Sequence, residues 1–409
     1  MRRALTTSPV TSIACVALAL AAALLAQTSR AQDAAATDAD DAAATDDGAP
    51  NVHTVIDEAP FASARAAGLG GALVTTADDM DAAFKNPAGI GGLGLGKKDN
   101  KSWIRKLWFP LVSVEANANS KALYDEAKAS GATTDSTIGR ASLDAHAGER
   151  QFARAGFALG FVLSRTMVLP FNDLQVAAVG NGDDEGTIDV RYRALSGVGA
   201  GFSAQDPNGT FSLGYFGYGA SRTDVTTTMT FAEVIDADLR TAALKENTNK
   251  STGVGHNVGF VWRLAKAAAP TLGVSVKDAG DTRFKAKTEG EEDVVQKQDL
   301  TMGFSLAPTL GKAGTLTVTL EAGRLTDDEI SFTKKYRAGV EWTLWGSGSY
   351  AALALRGGYN AAGGAGGLLL NLGLVGFEGA MQSVDIGVGN DRVIEQRFTA
   401  TTFVNVAEF

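Results

Sequence analysis

Asp78 and Asp79 are the first residues of this 409-residue chain whose types and spacing could do chemistry. Two carboxyl groups flanking one bond are a common device for acid–base hydrolysis. Adjacent residues, however, point their side chains in different directions on a helix or a strand, so this pair cannot readily flank one bond. Solvated or ion-paired aspartates are the plainer reading. The run Gly91 to Lys98 has the spacing of a phosphate-binding loop, with Gly96 and Lys97 in register. Yet Lys98 stands where a magnesium-binding Ser or Thr belongs, no hydrophobic strand leads in, and no amphipathic helix follows. Asp38, Asp40 and Asp41 lack the spacing and terminal Glu of a calcium loop. His53, His146 and His256 are far apart in the chain, and there is no Gly-x-Ser-x-Gly elbow. No catalytic residue, metal site or cofactor is therefore expected, and the chain does not read as an enzyme.

If these residues are not a reaction centre, the elements that carry them must explain them. The formal net charge is −9, so nothing resembles a basic footprint for nucleic acid. There are 48 glycines, 9 prolines and 20 % charged residues, a profile that suits many strands joined by glycine-rich turns. Arg2 and Arg3 precede an apolar run, residues 12–26, and Ser29-Arg30-Ala31 offers a small-x-small cleavage site, so residues 1–31 read as a signal peptide. The one cysteine, Cys15, lies inside that run, with Ser12 where a lipobox has Leu, so the mature chain has no thiol chemistry. Residues 32–60 begin as low-complexity Ala/Asp/Thr and read as a disordered acidic leader.

From about residue 107 onward the chain alternates with period two. In residues 314–324, Leu316, Val318, Leu320 and Ala322 take one face, with Thr315, Thr317, Thr319 and Glu321 on the other. Residues 299–306 and 336–344 repeat the pattern. A soluble sandwich alternates too. Connection lengths favour an outer-membrane barrel, which has short turns at one end, long loops at the other and an even strand count. The predicted fold is an all-β antiparallel barrel of about fourteen strands over residues 107–409, ending on Phe409, an aromatic as in many such barrels. No segment after residue 31 reads as a transmembrane helix.

The glycine-rich segment ahead of the barrel carries a resemblance. Ala64-Arg65, Gly68-x-Gly70-Gly71-Ala72, Ala77-Asp78-Asp79 and Asn86-Pro87-Ala88-Gly89 follow one another in an order that resembles the N-terminal signature of the FadL-like outer-membrane barrels. That superfamily holds long-chain fatty-acid transporters and PorV-like and TraF-like branches. YRAGVEWTLW, LALRGGYN and the closing RFTATTFVNVAEF resemble its C-terminal strands.

The resemblance implies that residues 61–106 fold inside the barrel as a plug, the hatch. Asn86, Pro87, Ala88 and Gly89 would form its turn, and Gly68, Gly70 and Gly71 would let its backbone approach the wall. Arg65, Asp78 and Asp79 would pair with lumenal charges such as Arg337, Glu341 and Arg356. These residues would brace the lumen or touch a ligand.

Residues 230–247 place Phe231, Val234, Ile235, Leu239 and Leu244 near helical spacing. They would collect a hydrophobic ligand or pack on themselves. Trp103, Trp108, Trp262, Trp342, Trp345 and Tyr359 lie near strand ends, as interfacial aromatics do. The inward faces read mostly as Thr, Gly, Ser and charge, an expectation of a lumen sparing in large apolar groups.

The expected function is passive transport of hydrophobic small molecules, such as long-chain fatty acids, across the outer membrane. The alternative is a PorV-like or TraF-like scaffold component of a secretion or conjugation system. Expected partners are outer-membrane lipids, a hydrophobic ligand and the barrel-assembly machinery, which would read the C-terminal strand.

Overall fold

The computed structural model describes residues 60–93, 106–120, 145–163, 165–181, 186–265, 268–345, 352–387 and 392–406. The predicted signal peptide, all but the last residue of the acidic leader, residues 94–98, Trp103 and Phe409 lie outside them. So do the side chains of Trp108 and Trp345.

Sixteen strands are present among the described residues. The first eight are β1 (Lys106–Asn117), β2 (Arg150–Leu163), β3 (Thr166–Gly180), β4 (Thr187–Gln205), β5 (Phe211–Thr230), β6 (Thr248–Arg263), β7 (Thr271–Lys277) and β8 (Thr282–Ala286). The others are β9 (Val294–Gln296), β10 (Asp299–Leu306), β11 (Thr315–Ala322), β12 (Tyr336–Trp345), β13 (Ala352–Asn360), β14 (Gly363–Asn371), β15 (Val375–Asp385) and β16 (Ile394–Val406). Fourteen of them form one antiparallel ring, closed by β1 on β16 with Ser113 opposite Thr401. The remaining two, β8 and β9, make a short hairpin that carries on beyond β7, where β8 pairs Ser251 and Thr252 of β6. The fold is the predicted fourteen-stranded barrel. Closure pairs every edge within the ring, which an open sheet could not do.

Period-two alternation sets what each face meets. On β4, Arg193, Leu195 and Ser203 are buried in the lumen, whereas Val198 and Phe202 between them face outward and are more than half exposed. Leu213, Val254, Leu320, Leu355 and Leu368 continue this outward apolar band around the ring. Aromatics rim it. At the short-turn end Phe211 stacks on Phe260 and Trp262 at 6.3 and 5.6 Å. At the other end Phe332 meets Tyr336 edge-on at 4.8 Å.

Connections alternate short and long as expected, with one exception. Residues 361–362 alone join β13 to β14 at the long-loop end. The lumen departs further from expectation. It holds a cluster of large apolar side chains, Phe84, Phe171, Phe216, Tyr218 and Phe284, all buried. Both faces of β3 are apolar over residues 167–171, so alternation there does not announce which residues point inward.

The hatch fills the lumen from residue 61 to residue 93. It is four short turns: α1 (Ala64–Gly68), two 3₁₀ turns at Met80–Ala83 and Pro87–Gly89, and α2 (Ile90–Leu93). Three of them start on side-chain caps, in which Ser63, Asp79 and Asn86 accept from the backbone N–H of Ala66, Asp81 and Ala88. Such short turns do not hold themselves together. Their stability comes from the wall.

Candidate functional site

The hatch sits on bare backbone. Three cross-strand glycine pairs face inward: Gly214 with Gly259, Gly273 with Gly303, and Gly339 with Gly358. Each receives one hatch segment. A Cβ on Gly259 would lie 1.9 Å from Asn86 Oδ1, and one on Gly214 would lie 2.0 Å from the Pro87 carbonyl carbon. At the second pair a Gly303 Cβ would be 2.5 Å from Val74 Cγ1, and at the third a Gly358 Cβ would be 2.3 Å from the Leu69 carbonyl carbon. No side chain fits at these distances, so glycine in these strands marks close approach by another chain segment. Hatch glycines reciprocate: Gly70, at φ 62°, lies against the Tyr359 backbone, and Gly68 lies on Gly367.

Polar contacts fix each seat. Asn86 donates through Nδ2 to Val74 O (2.6 Å) and Phe260 O (3.3 Å), and its Oδ1 accepts from Ala88 N at 3.1 Å. Ala88 O accepts from Ser203 Oγ and Ser212 Oγ at 3.0 and 2.7 Å. Asn257 Nδ2 donates to Ala83 O at 3.1 Å. Glu321 Oε2 accepts from two successive hatch amides, Leu73 and Val74, both at 2.8 Å, while its Oε1 pairs with Arg337 at 3.2 Å.

Arg65 is the centre of a charged latch. Its guanidinium bridges Asp78 and Asp79 within the hatch and reaches Glu341 on β12 at 3.2 Å. Burial works against its charge, but Glu341, Asp78 and Asp79 outweigh it and hold the guanidinium protonated. Arg356 lies on the far side of Glu341 (2.7 Å) and also pairs with Glu378 (3.0 Å). Of the wall charges named from the sequence, Glu341 therefore touches Arg65 directly and Arg356 through it. Arg337 pairs with Glu321 and packs over Gly71. Asp78 and Asp79 serve one arginine, an arrangement unlike an acid–base pair.

On the opposite side, next to β3 and β5, the hatch presents Phe84. Its ring meets Phe171, Phe216 and Tyr218 edge-on at 5.1, 5.4 and 6.1 Å. The hatch thus meets an aromatic cluster on one side and the Arg65 latch on the other. Under the hatch a cavity of about 300 Å³ runs toward the short turns, lined by Thr75, Thr76, Asn86, Ser305, Thr317 and Thr343 among others.

The seating of the hatch should depend on pH through Asp81. Burial and the nearby Asp79 carboxylate push its carboxyl up to about 7, against a hydrogen bond from Ser63 Oγ and the opposing charges of Lys85 and Arg65. In a released, solvated hatch it would titrate near its ordinary 3.8. The raised value favours the seated hatch fully below about pH 4, and that preference is lost as pH rises through about 7. Amide exchange over residues 79–84, corrected for its intrinsic pH dependence, should be slower at pH 5 than at pH 8. Asp81→Asn should abolish the difference, and its persistence in that variant would refute the assignment.

Residues 230–247 form two helices outside the ring, α3 (Phe231–Ile235) and α4 (Ala237–Glu246). Thr230 and Glu233 make a capping box at their start. Leu244 packs on the outward-facing cluster of Leu174, Tyr192 and Val225, while Leu239 is exposed and Val234 part-buried. The side chains of Phe231 and Ile235 fall outside the described residues.

Sequence reasoning missed the wall's share of the site. Glu321, Ser203, Ser212, Asn257 and the paired glycines all hold the hatch. Glycine recurring at inward positions of otherwise regular strands was the signal that could have found them.

No family model and no curated relative matches the chain. Among solved structures it is similar to a TodX monoaromatic hydrocarbon channel mutant, deltaS2S3, with TM-score 0.47 and 10 % identity over 87 % of this chain and 100 % of that one. It is also similar to the toluene transporter TbuX of Ralstonia pickettii, with TM-score 0.43 and 13 % identity over 87 % and 100 % of the two chains. A Pseudomonas aeruginosa FadL homologue aligns with TM-score 0.35 and 8 % identity over 86 % and 99 %. What TodX and TbuX carry is a property of those proteins.

Proposed function

We propose that this chain is a FadL-like outer-membrane channel that passes hydrophobic small molecules, long-chain fatty acids among them, with residues 61–93 as a movable hatch. Export by the N-terminal signal segment, contact with membrane lipids and insertion by the barrel-assembly machinery belong to the same reading. The supporting observation is the way the lumen is closed. The plug rests on glycine backbone through non-covalent contacts, between an aromatic half-lumen and a polar cavity. A segment needed only to stiffen the ring would be better fixed by interlocking side chains.

A scaffold role has one observation in its favour. Arg150, Arg154, Arg193 and Arg397 are buried on β2, β4 and β16 among Glu115, Asp173 and Glu395, and the Arg397 guanidinium lies 3.9 Å from the centre of the Phe152 ring. That much fixed charge narrows any passage along those strands.

A covalent lock separates the two. Cβ atoms at Gly91 and Ser203 would be 3.3 Å apart, near the roughly 3.5–4.5 Å of a disulfide, and the sole natural cysteine is Cys15. Uptake of radiolabelled oleate by cells carrying Gly91→Cys/Ser203→Cys should fall at least about tenfold on oxidation and return with reductant, since a gating hatch must move. Uptake equal in the two redox states would sink the channel reading and favour the scaffold.

A further inference from the structure

The outward residues of β6, followed up from its short-turn end, run in the order of the parts of a membrane lipid. Trp262, Phe260, Val258 and Val254 are apolar, Thr252 carries a hydroxyl and Lys250 a charge. One polar residue interrupts the apolar run, His256, and it shares a hydrogen bond with Tyr215 Oη at 2.7 Å. From Trp262 to Thr252 is ten residues of tilted strand, about 25 Å along the barrel axis. That is about the height of the apolar band on such barrels, so Thr252 marks its outer edge. Ser221 on β5 stands opposite Thr252, and Ser196 on β4 opposite Ser221, so exposed hydroxyls continue that edge across three strands.

Beyond that edge the wall turns basic. β8 runs up beside β6, with Lys285 opposite Thr252 and the Lys287 amide donating to Lys250 O at 2.8 Å. Alternation sends Phe284 into the lumen, where it is fully buried. It leaves Arg283, Lys285 and Lys287 on the outside with Lys250, all exposed. No carboxylate among the described residues is in ion-pair distance of these four. The acids of the β8–β9 hairpin are placed otherwise. Glu289, Glu291 and Glu292 lie in the turn beyond β8, Asp293 accepts from Ala286 N at 3.0 Å, and Asp281 accepts from Gln298 N at 2.8 Å. Near the same ends of β12 and β13 the outward rim is aromatic instead, with Phe332, Tyr336 and Tyr359.

We propose that Lys250, Arg283, Lys285 and Lys287 form a docking site for the phosphate-bearing head of an outer-leaflet lipid, whose chains lie on the outward face of β4–β6. Four unmatched cations at the rim of an apolar surface hold phosphate by charge while the surface holds acyl chain by area. The Ser196–Ser221–Thr252 row falls where such a lipid carries its ester and sugar oxygens. Gly219, one outward position below Ser221, has nothing within 4 Å of where a Cβ would stand, which leaves room for a chain against the wall. The site rests on the barrel standing in the outer membrane and not on what its lumen passes.

The test uses the full chain, purified in mild detergent, with two probes: lipid A bearing both phosphates, and the same lipid stripped of them. Each basic side chain beside an anionic surface is worth roughly fivefold in binding, so wild type should prefer the phosphorylated form by at least about tenfold. Lys250→Gln/Lys285→Gln should weaken that form roughly twenty-five-fold and leave the stripped form unchanged. Lys297→Gln/Arg324→Gln removes two cations from the same end that Glu329 and Asp327 already match, and should leave both affinities as they were. All four positions are exposed, so both variants are expected to fold. Equal binding of the two probes by wild type, equal losses in the two variants, or a site variant that weakens both lipids alike would overturn the site. Displacement of the lipid by an equal amount of inorganic phosphate would overturn it too, as the mark of a bare anion site. Each of these outcomes leaves the channel reading where it stood.

Discussion

Gly259→Val is expected to unseat the hatch and turn a plugged barrel into an open one. The new side chain would begin 1.9 Å from Asn86 Oδ1 and within 2.9 Å of Ala88 N and Pro87 Cδ. Asn86 cannot step aside cheaply, because the same side chain holds Val74 O, Phe260 O and Ala88 N. Forcing atoms into a filled site costs typically about 1–3 kcal/mol, and this overlap with backbone belongs at or above the top of that range. The strand itself loses nothing, since valine is a better strand residue than glycine. The penalty therefore falls on the docked hatch and not on the ring. Planar-bilayer recordings should show conductance rising from near zero to that of an unobstructed pore. Gly357→Val is the control, because that glycine, next to Gly358 on β13, has nothing within 4 Å of a new Cβ. Equal conductance in the two variants would show that the glycine pair is no seat.

Arg65→Met should release the same plug from the other side. The substitution leaves Asp79 and Glu341 without their shared cation, and only Glu341 keeps a second cation, Arg356. Removing one member of a buried ion cluster typically costs about 3–5 kcal/mol. Asp78, whose side chain is 67 % exposed, should add little to that figure because solvent screens it. The expected readout is a large gain in protease cleavage within residues 64–79 while the barrel stays folded. Glu341→Gln in the Arg65→Met background should recover part of the loss, giving a coupling of at least about 1 kcal/mol. Strictly additive effects would mean that the two residues brace the lumen independently.

The ring was legible because barrel strands alternate between lumen and outer face, and residues 314–324 and 336–344 alternate cleanly. The hatch was legible through Asn86-Pro87-Ala88-Gly89, where a side-chain cap and a fixed φ impose a turn locally. What stayed hidden depends on contacts distant in the chain. Phe84, Phe171, Phe216 and Tyr218 come from three separate elements, and on β3 the outward Val168 and Pro170 are as apolar as the inward Leu169 and Phe171. Glu321 reads as one more polar lumenal residue, since its partners are backbone amides, which every residue but proline carries. The β8–β9 hairpin escaped notice because its strands are five and three residues long and carry no sustained alternation.

The three glycine pairs lie apart along one half of the ring, on β5/β6, β7/β10 and β12/β13. Mechanically they are a three-point mount, the smallest number of supports that fixes a rigid body without over-constraining it. The supports differ in strength. Those under Leu69 and Val74 are reinforced by ionised groups, Arg65 with Glu341 and the Glu321 carboxylate, whereas the one under Asn86 has only neutral hydrogen bonds. Lifting the weakest support leaves a line through the other two, and the motion left to the hatch is rotation about that line. The plug would then swing as a trapdoor does, tethered on its charged edge, and return to the same place each time it closes.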